Sequence, residues 1–157
     1  MRRQASLMIR ALVASAVVIG AGRTAGAQQA AQPSPWDSPV GPNERMVALV
    51  AQDFSDCTNT TVQNDPNRTR GGEIWVTRQS DGSTSIRVAM TATPNTTYHF
   101  YLKCVRELGT IKTDEEGTGM ATFSFPTGSV GSTFAFDSYP SGAPAGNKFQ
   151  SVTVRFQ

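Results

Sequence analysis

Runs of apolar residues at every second position recur between about residue 45 and the end of the sequence, separated by polar turns, and no window of a dozen residues carries a helical stripe. A chain patterned this way is expected to form strands, because side chains alternate across a strand but recur every three to four residues on a helix. The cleanest run is Ser83 to Ala92. There Ile86, Val88, Met90 and Ala92 share one face, and Ser85, Arg87, Ala89 and Thr91 share the other, so the first set is expected to face the core. Asp81-Gly82 supplies the positive φ of a tight turn between this run and Glu73 to Arg78.

The run near Arg45 to Gln52 is apolar through most of its length, as expected of a strand covered on both faces or crossing the core, and the remaining strands follow from the same alternation. They are expected near Thr97 to Val105, Thr110 to Lys112, Met120 to Phe125, Thr133 to Asp137 and Phe149 to Phe156. In the Thr97 run, Tyr98, Phe100, Leu102 and Cys104 fall on the core face, and His99, Tyr101 and Lys103 on the outer face. The segment Thr58 to Gly72 is polar turn chemistry with no pattern to bury, and it is the longest loop. About eight short strands with antiparallel turn signals predict an all-β fold, a single immunoglobulin-like antiparallel β-sandwich of about 7–8 strands over residues 44–157.

Ahead of the strands, residues 1–27 read as an export signal. Arg2 and Arg3 precede an apolar stretch from Leu12 to Gly22, and Ala25-Gly26-Ala27 forms a small-residue exit. The apolar stretch is about half the roughly 20 residues a membrane-spanning helix needs, so no membrane insertion is expected after cleavage. Cleavage before Gln28 removes four arginines and no acid, which turns a net charge of +2 into −2. The basic character thus belongs to the signal, and nucleic acid is not an expected partner. Residues 28–43, rich in Gln, Pro and Ser, read as a flexible leader. The Ala/Gly/Arg-rich signal reads as bacterial, which places the protein in the periplasm or outside the cell. Two cysteines in an exported chain are most simply one disulfide, Cys57 to Cys104.

The run Thr91-Ala92-Thr93-Pro94-Asn95-Thr96-Thr97-Tyr98 resembles the corner leading into a strand in fibronectin type III domains, with Tyr98 as a tyrosine corner. Leu108-Gly109-Thr110 through Thr113-Asp114 to Gly117 and Phe123 is similar to a hairpin of bacterial immunoglobulin-like modules. Together they cover about 35 residues, and the resemblance implies an adhesion or binding module with no catalytic residue.

Candidate chemistry is sparse. The single histidine, His99, lies on an outer face without a legible Ser/His/Asp motif, and a copper-zinc site would need several histidines. Asp114, Glu115 and Glu116 offer oxygen atoms to calcium but lack the alternating spacing of a dedicated loop, so a solvated turn is the plainer reading. Asn59, Asn67 and Asn95 begin glycosylation sequons and, in a bacterial chain, read as turn formers. Trp75, His99 and Tyr101 project from outer faces and would form one aromatic patch if their strands were neighbours. The expectation is therefore a non-enzymatic module, without a cofactor, that binds a protein or carbohydrate. The alternative is an accessory or inhibitor domain acting on a secreted enzyme through loop 58–72 or 138–148.

Overall fold

The computed structural model describes residues 40–143 and 148–157. The export signal lies outside them, as does the leader up to residue 39. Among the described residues ten strands form in the order β1 (Glu44–Ala51), β2 (Arg70–Arg78), β3 (Ser83–Thr91), β4 (Thr97–Leu102), β5 (Arg106–Lys112), β6 (Thr118–Pro126), β7 (Thr133–Phe134), β8 (Phe136–Pro140), β9 (Phe149–Ser151) and β10 (Val154–Arg155). All the strand pairings are antiparallel. The all-β expectation is therefore met, and among the described residues the only helical turn is Thr127–Ser129.

Eight strands make one continuous sheet in the order β5-β4-β8-β9-β1-β2-β3-β6, and β10 pairs β7 in a small second sheet. The end strands β5 and β6 approach each other across the tight turn that joins them. A Cβ on Gly119 of β6 would sit 2.9 Å from the Lys112 carbonyl oxygen of β5. This sheet is nearly barrel-shaped, not clearly two stacked sheets. The hairpin between β2 and β3 turns at Gly82 with φ 82°, as Asp81-Gly82 requires.

The strand count exceeds eight because two runs that alternate continuously in sequence are each divided between sheets. The Thr133 run breaks at Ala135, sending Phe134 to β7 and Phe136 to β8. The last run breaks at Val152–Thr153 in the same way, and such breaks are how a strand turns a corner between sheets. The core lies inside the curled sheet. Leu49, Ile74, Val76, Ile86, Val88, Phe100, Leu102 and Phe136 are all fully buried there, and Phe100 stacks on Phe123 and on Phe136, with centroids 5.3 Å apart in both pairs.

Two expectations about β4 and the first long loop are corrected. The alternation of β4 stops at Leu102, and Cys104 adopts φ 59°, so the chain turns. Cys104 is therefore exposed instead of sharing the core face, and so is its disulfide partner Cys57. Lys103, expected outside, is buried, because the loop after β1 lies over the outer face of the sheet. That loop does have something to bury. Val62 packs on Ala48 and Val50, giving β1 an apolar contact on its outer face too, and Asn59 is fully buried at φ 49°.

A polar network joins this loop to the sheet. Asn59 Nδ2 donates to the Phe136 and Ser151 carbonyls at 3.3 and 3.2 Å. Gln150 Nε2 donates to the Phe54 carbonyl at 2.8 Å and to Asp137 Oδ1 at 3.2 Å, and Gln150 Oε1 accepts the Phe54 N–H at 2.7 Å. The Lys103 ammonium lies 3.6 Å from Asp137 Oδ1. Burial pushes the Asp137 carboxyl up from its ordinary value, with Lys103, Asn59 and Gln150 opposing the rise.

Candidate functional site

The outer faces of β4 and β8 carry a cluster of aromatic and polar side chains, several of them partly exposed. On β4 the alternation turns His99 and Tyr101 away from the core, and β8 pairs with β4 so that Tyr139 stands opposite His99. Tyr101 stacks nearly parallel on Tyr139, with centroids 4.9 Å apart and planes 8° apart, and His99 lies 6.3 Å from Tyr101. The Lys148 ammonium sits over the Tyr139 ring at 5.2 Å and reaches Asp53 at 3.1 Å. The result is a continuous row of His99, Tyr101, Tyr139 and Lys148. Its members cover one another's ring faces, so a ligand meets ring edges, hydroxyls and charges more than open faces.

The row's polar tips are fixed. His99 Nδ1 lies 2.7 Å from Glu107 Oε1 on β5, and His99 Nε2 lies 2.6 Å from Ser141 Oγ just after β8. A carboxylate only accepts, so in the neutral ring Glu107 selects the tautomer with the proton on Nδ1, and Nε2 then accepts from the serine hydroxyl. The Tyr101 phenol is pushed up to about 12, first by its hydrogen bond with Tyr139, then by burial and by the Tyr139 and Glu107 charges. It therefore stays a neutral hydroxyl at physiological pH.

Of the three aromatic residues expected to form one patch, the structure brings His99 and Tyr101 together and leaves Trp75 apart. β2 is separated from β4 by β1, β9 and β8. Trp75 is buried on the outer face of β2, opposite Met46 and Arg87, and the Arg87 guanidinium lies 5.6 Å from its ring. Tyr139, Ser141 and Glu107 completed the site without a sequence signal, because only strand pairing brings residues 99, 107 and 139–141 together.

The acidic turn works structurally. Asp114 Oδ1 accepts the N–H groups of Glu116 and Thr118 at 3.1 and 2.7 Å, which closes the β5–β6 turn. Glu115 lies beside it, along a shallow cleft shared with Asn95 and Lys112. Among the described residues no group of three His, Cys, Asp or Glu is placed to hold a metal ion. No protein-family model matches the chain, and a search of curated proteins finds no match.

Proposed function

We propose that this chain is an exported, non-enzymatic binding module of immunoglobulin-like kind, and that it holds a protein partner through the His99–Tyr101–Tyr139–Lys148 row. The observation that carries the reading is the row itself: rigid tyrosines with polar tips, fixed by stacking and by Glu107 and Ser141, on an otherwise ordinary sheet face. Tyrosines of this kind give contact area at little entropic cost and are enriched at protein interfaces. With ring faces turned to one another, the row suits a protein better than a sugar that must lie flat on a ring. Kinship to immunoglobulin-like modules is supported by Tyr98, whose hydroxyl accepts the Thr93 N–H at 3.1 Å, the bond that defines a tyrosine corner. Export to the periplasm or beyond is supported by the signal-like N-terminus and by the disulfide, a bond that is common in oxidising compartments and rare in reducing ones.

An accessory or inhibitory role toward a secreted enzyme is the narrower form of this reading, with the row instead of loop 58–72 as the contact, since Asn59 and Val62 of that loop are spent on burial against the sheet. The test is a binding panel of envelope proteins and glycans, compared between the native chain and Tyr101→Ala with Tyr139→Ala. A protein ligand whose affinity falls at least about 30-fold in the double variant is the expected result. Binding that survives the double substitution unchanged removes the row from the interface.

One observation favours a second reading. Ser141, His99 and Glu107 stand in the order nucleophile, base and orienting acid. Acyl transfer also needs donors aimed at the developing oxyanion, and the nearby Ala143 N–H already donates to the Pro140 carbonyl at 3.1 Å. The expected outcome with a fluorophosphonate probe is therefore no labelling. Labelling that disappears in Ser141→Ala would establish a hydrolase instead.

A further inference from the structure

The proposed binding surface leaves unused a buried amine set against a carboxamide. The Lys103 side chain is 7% exposed, its Nζ donates to the Phe54 carbonyl at 2.5 Å, and it also donates to Asn59 Oδ1. Asn59 has no exposure at all. On the other side of the pair stands Asp137. Its Oδ1 lies 3.6 Å from Lys103 Nζ and 3.4 Å from Asn59 Nδ2. One carboxylate oxygen therefore neighbours both nitrogens that exchange places when an amine displaces ammonia from an amide.

We propose that Lys103 and Asn59 condense into an intramolecular isopeptide bond, with Asp137 carrying the protons. Asp137 takes a proton from the Lys103 ammonium, and the freed Nζ lone pair attacks Asn59 Cγ to form the new C–N bond. Asp137 returns the proton to Nδ2. A second Nζ proton follows the same route as the Cγ–Nδ2 bond breaks, so the nitrogen leaves as an ammonium ion. The amine, the amide and the released ammonium balance, no electron is transferred to or from the protein, and Asp137 ends as it began.

Three features of the fold favour this step. The disulfide between Cys57 and Cys104 fixes residues two and one positions away from the reacting pair, so the encounter is already made before any chemistry begins. Asn59 is aimed by its own turn: its N–H donates to the Asp56 carbonyl at 3.3 Å, and Asp56 Oδ2 accepts the Thr60 N–H at 2.7 Å. Condensation also removes a charged amine from a buried site, where an ion is costly to hold. Burial raises the Asp137 carboxyl, which suits a group that must both accept and return a proton.

The test uses the full chain, exported and purified with its disulfide formed, then reduced, alkylated and digested with trypsin. The expected product is peptide 46–68 joined to 88–106, uncleaved after Lys103 and about 17 Da lighter than its two parts, the mass of one ammonia. Peptide mapping is required because an N-terminal Gln28 that cyclises loses the same mass. Linear 46–68 and 88–103 accounting for the whole sample would overturn the proposal. Asp137→Ala keeps both reacting side chains and is expected to give only linear peptides. A branched peptide there at the native yield removes Asp137 from the proton path. The native digest decides the bond even if that variant does not fold.

Discussion

Asp137→Ala is expected to lower the unfolding free energy by at least about 3–5 kcal/mol, because Lys103, which no longer condenses without Asp137, stays in the fold as a stranded buried charge. Urea melts with the disulfide intact will read it. The substitution leaves the Lys103 ammonium without its counter-ion and takes an acceptor from both Asn59 Nδ2 and Gln150 Nε2. Asp137→Asn keeps the shape and is expected to cost less, about 1–3 kcal/mol. The pair also separates by pH. Burial raises the Asp137 carboxyl above 3.8, so in the window just above that value the folded chain holds a proton the unfolded chain has released. The stability this group contributes is full below the unfolded value and is lost as pH rises through the folded one. Asp56 and Asp81 are both lowered, by hydrogen bonds from Thr60 and Ser83, and work in the opposite direction, so the informative quantity is the native slope minus the Asp137→Asn slope. A difference of zero would show that Asp137 is not held in a burial-raised state.

How far the sequence could be read depended on whether a strand stayed in one environment. β3 has the same partners on both sides along its whole length, and its alternation located it to within one residue. The runs starting at Thr133 and Phe149 alternate just as well, yet each changes sheets midway, because a corner needs only a bend at Ala135 or Val152–Thr153 and leaves the period intact. For the same reason alternation alone did not separate one strongly curled sheet from two stacked ones.

The site was legible only in its local half. His99 and Tyr101 share a face by period, but Glu107, Tyr139 and Ser141 reach them through pairings that no local pattern encodes. Lys103 and Asn59 were misread for a related reason. A lysine sharing an outer face with His99 and Tyr101, and an asparagine among turn formers, look solvated, and what buries both is the loop after β1 folding back over the sheet. The one long-range cue was the cysteine pair, which put residue 57 beside residue 104 and so put Asn59 within reach of Lys103.

That closeness allows the two cross-links to be weighed against each other. In a Lys103→Met chain no amide can form, and reducing Cys57–Cys104 reopens a loop with a sequence separation of 47, at an expected cost of about 4 kcal/mol on the chain-entropy model. Both cysteines are exposed, so a mild reductant reaches the bond in the folded protein. In the native chain the Asn59–Lys103 amide would keep almost the same loop closed, and reduction should then cost well under about 1 kcal/mol. Each cost is the difference between the oxidised and reduced forms of one variant, so the packing change made by Lys103→Met largely cancels. A much smaller loss in the native chain than in Lys103→Met is the expected result. Equal losses would mean that the disulfide alone holds the loop.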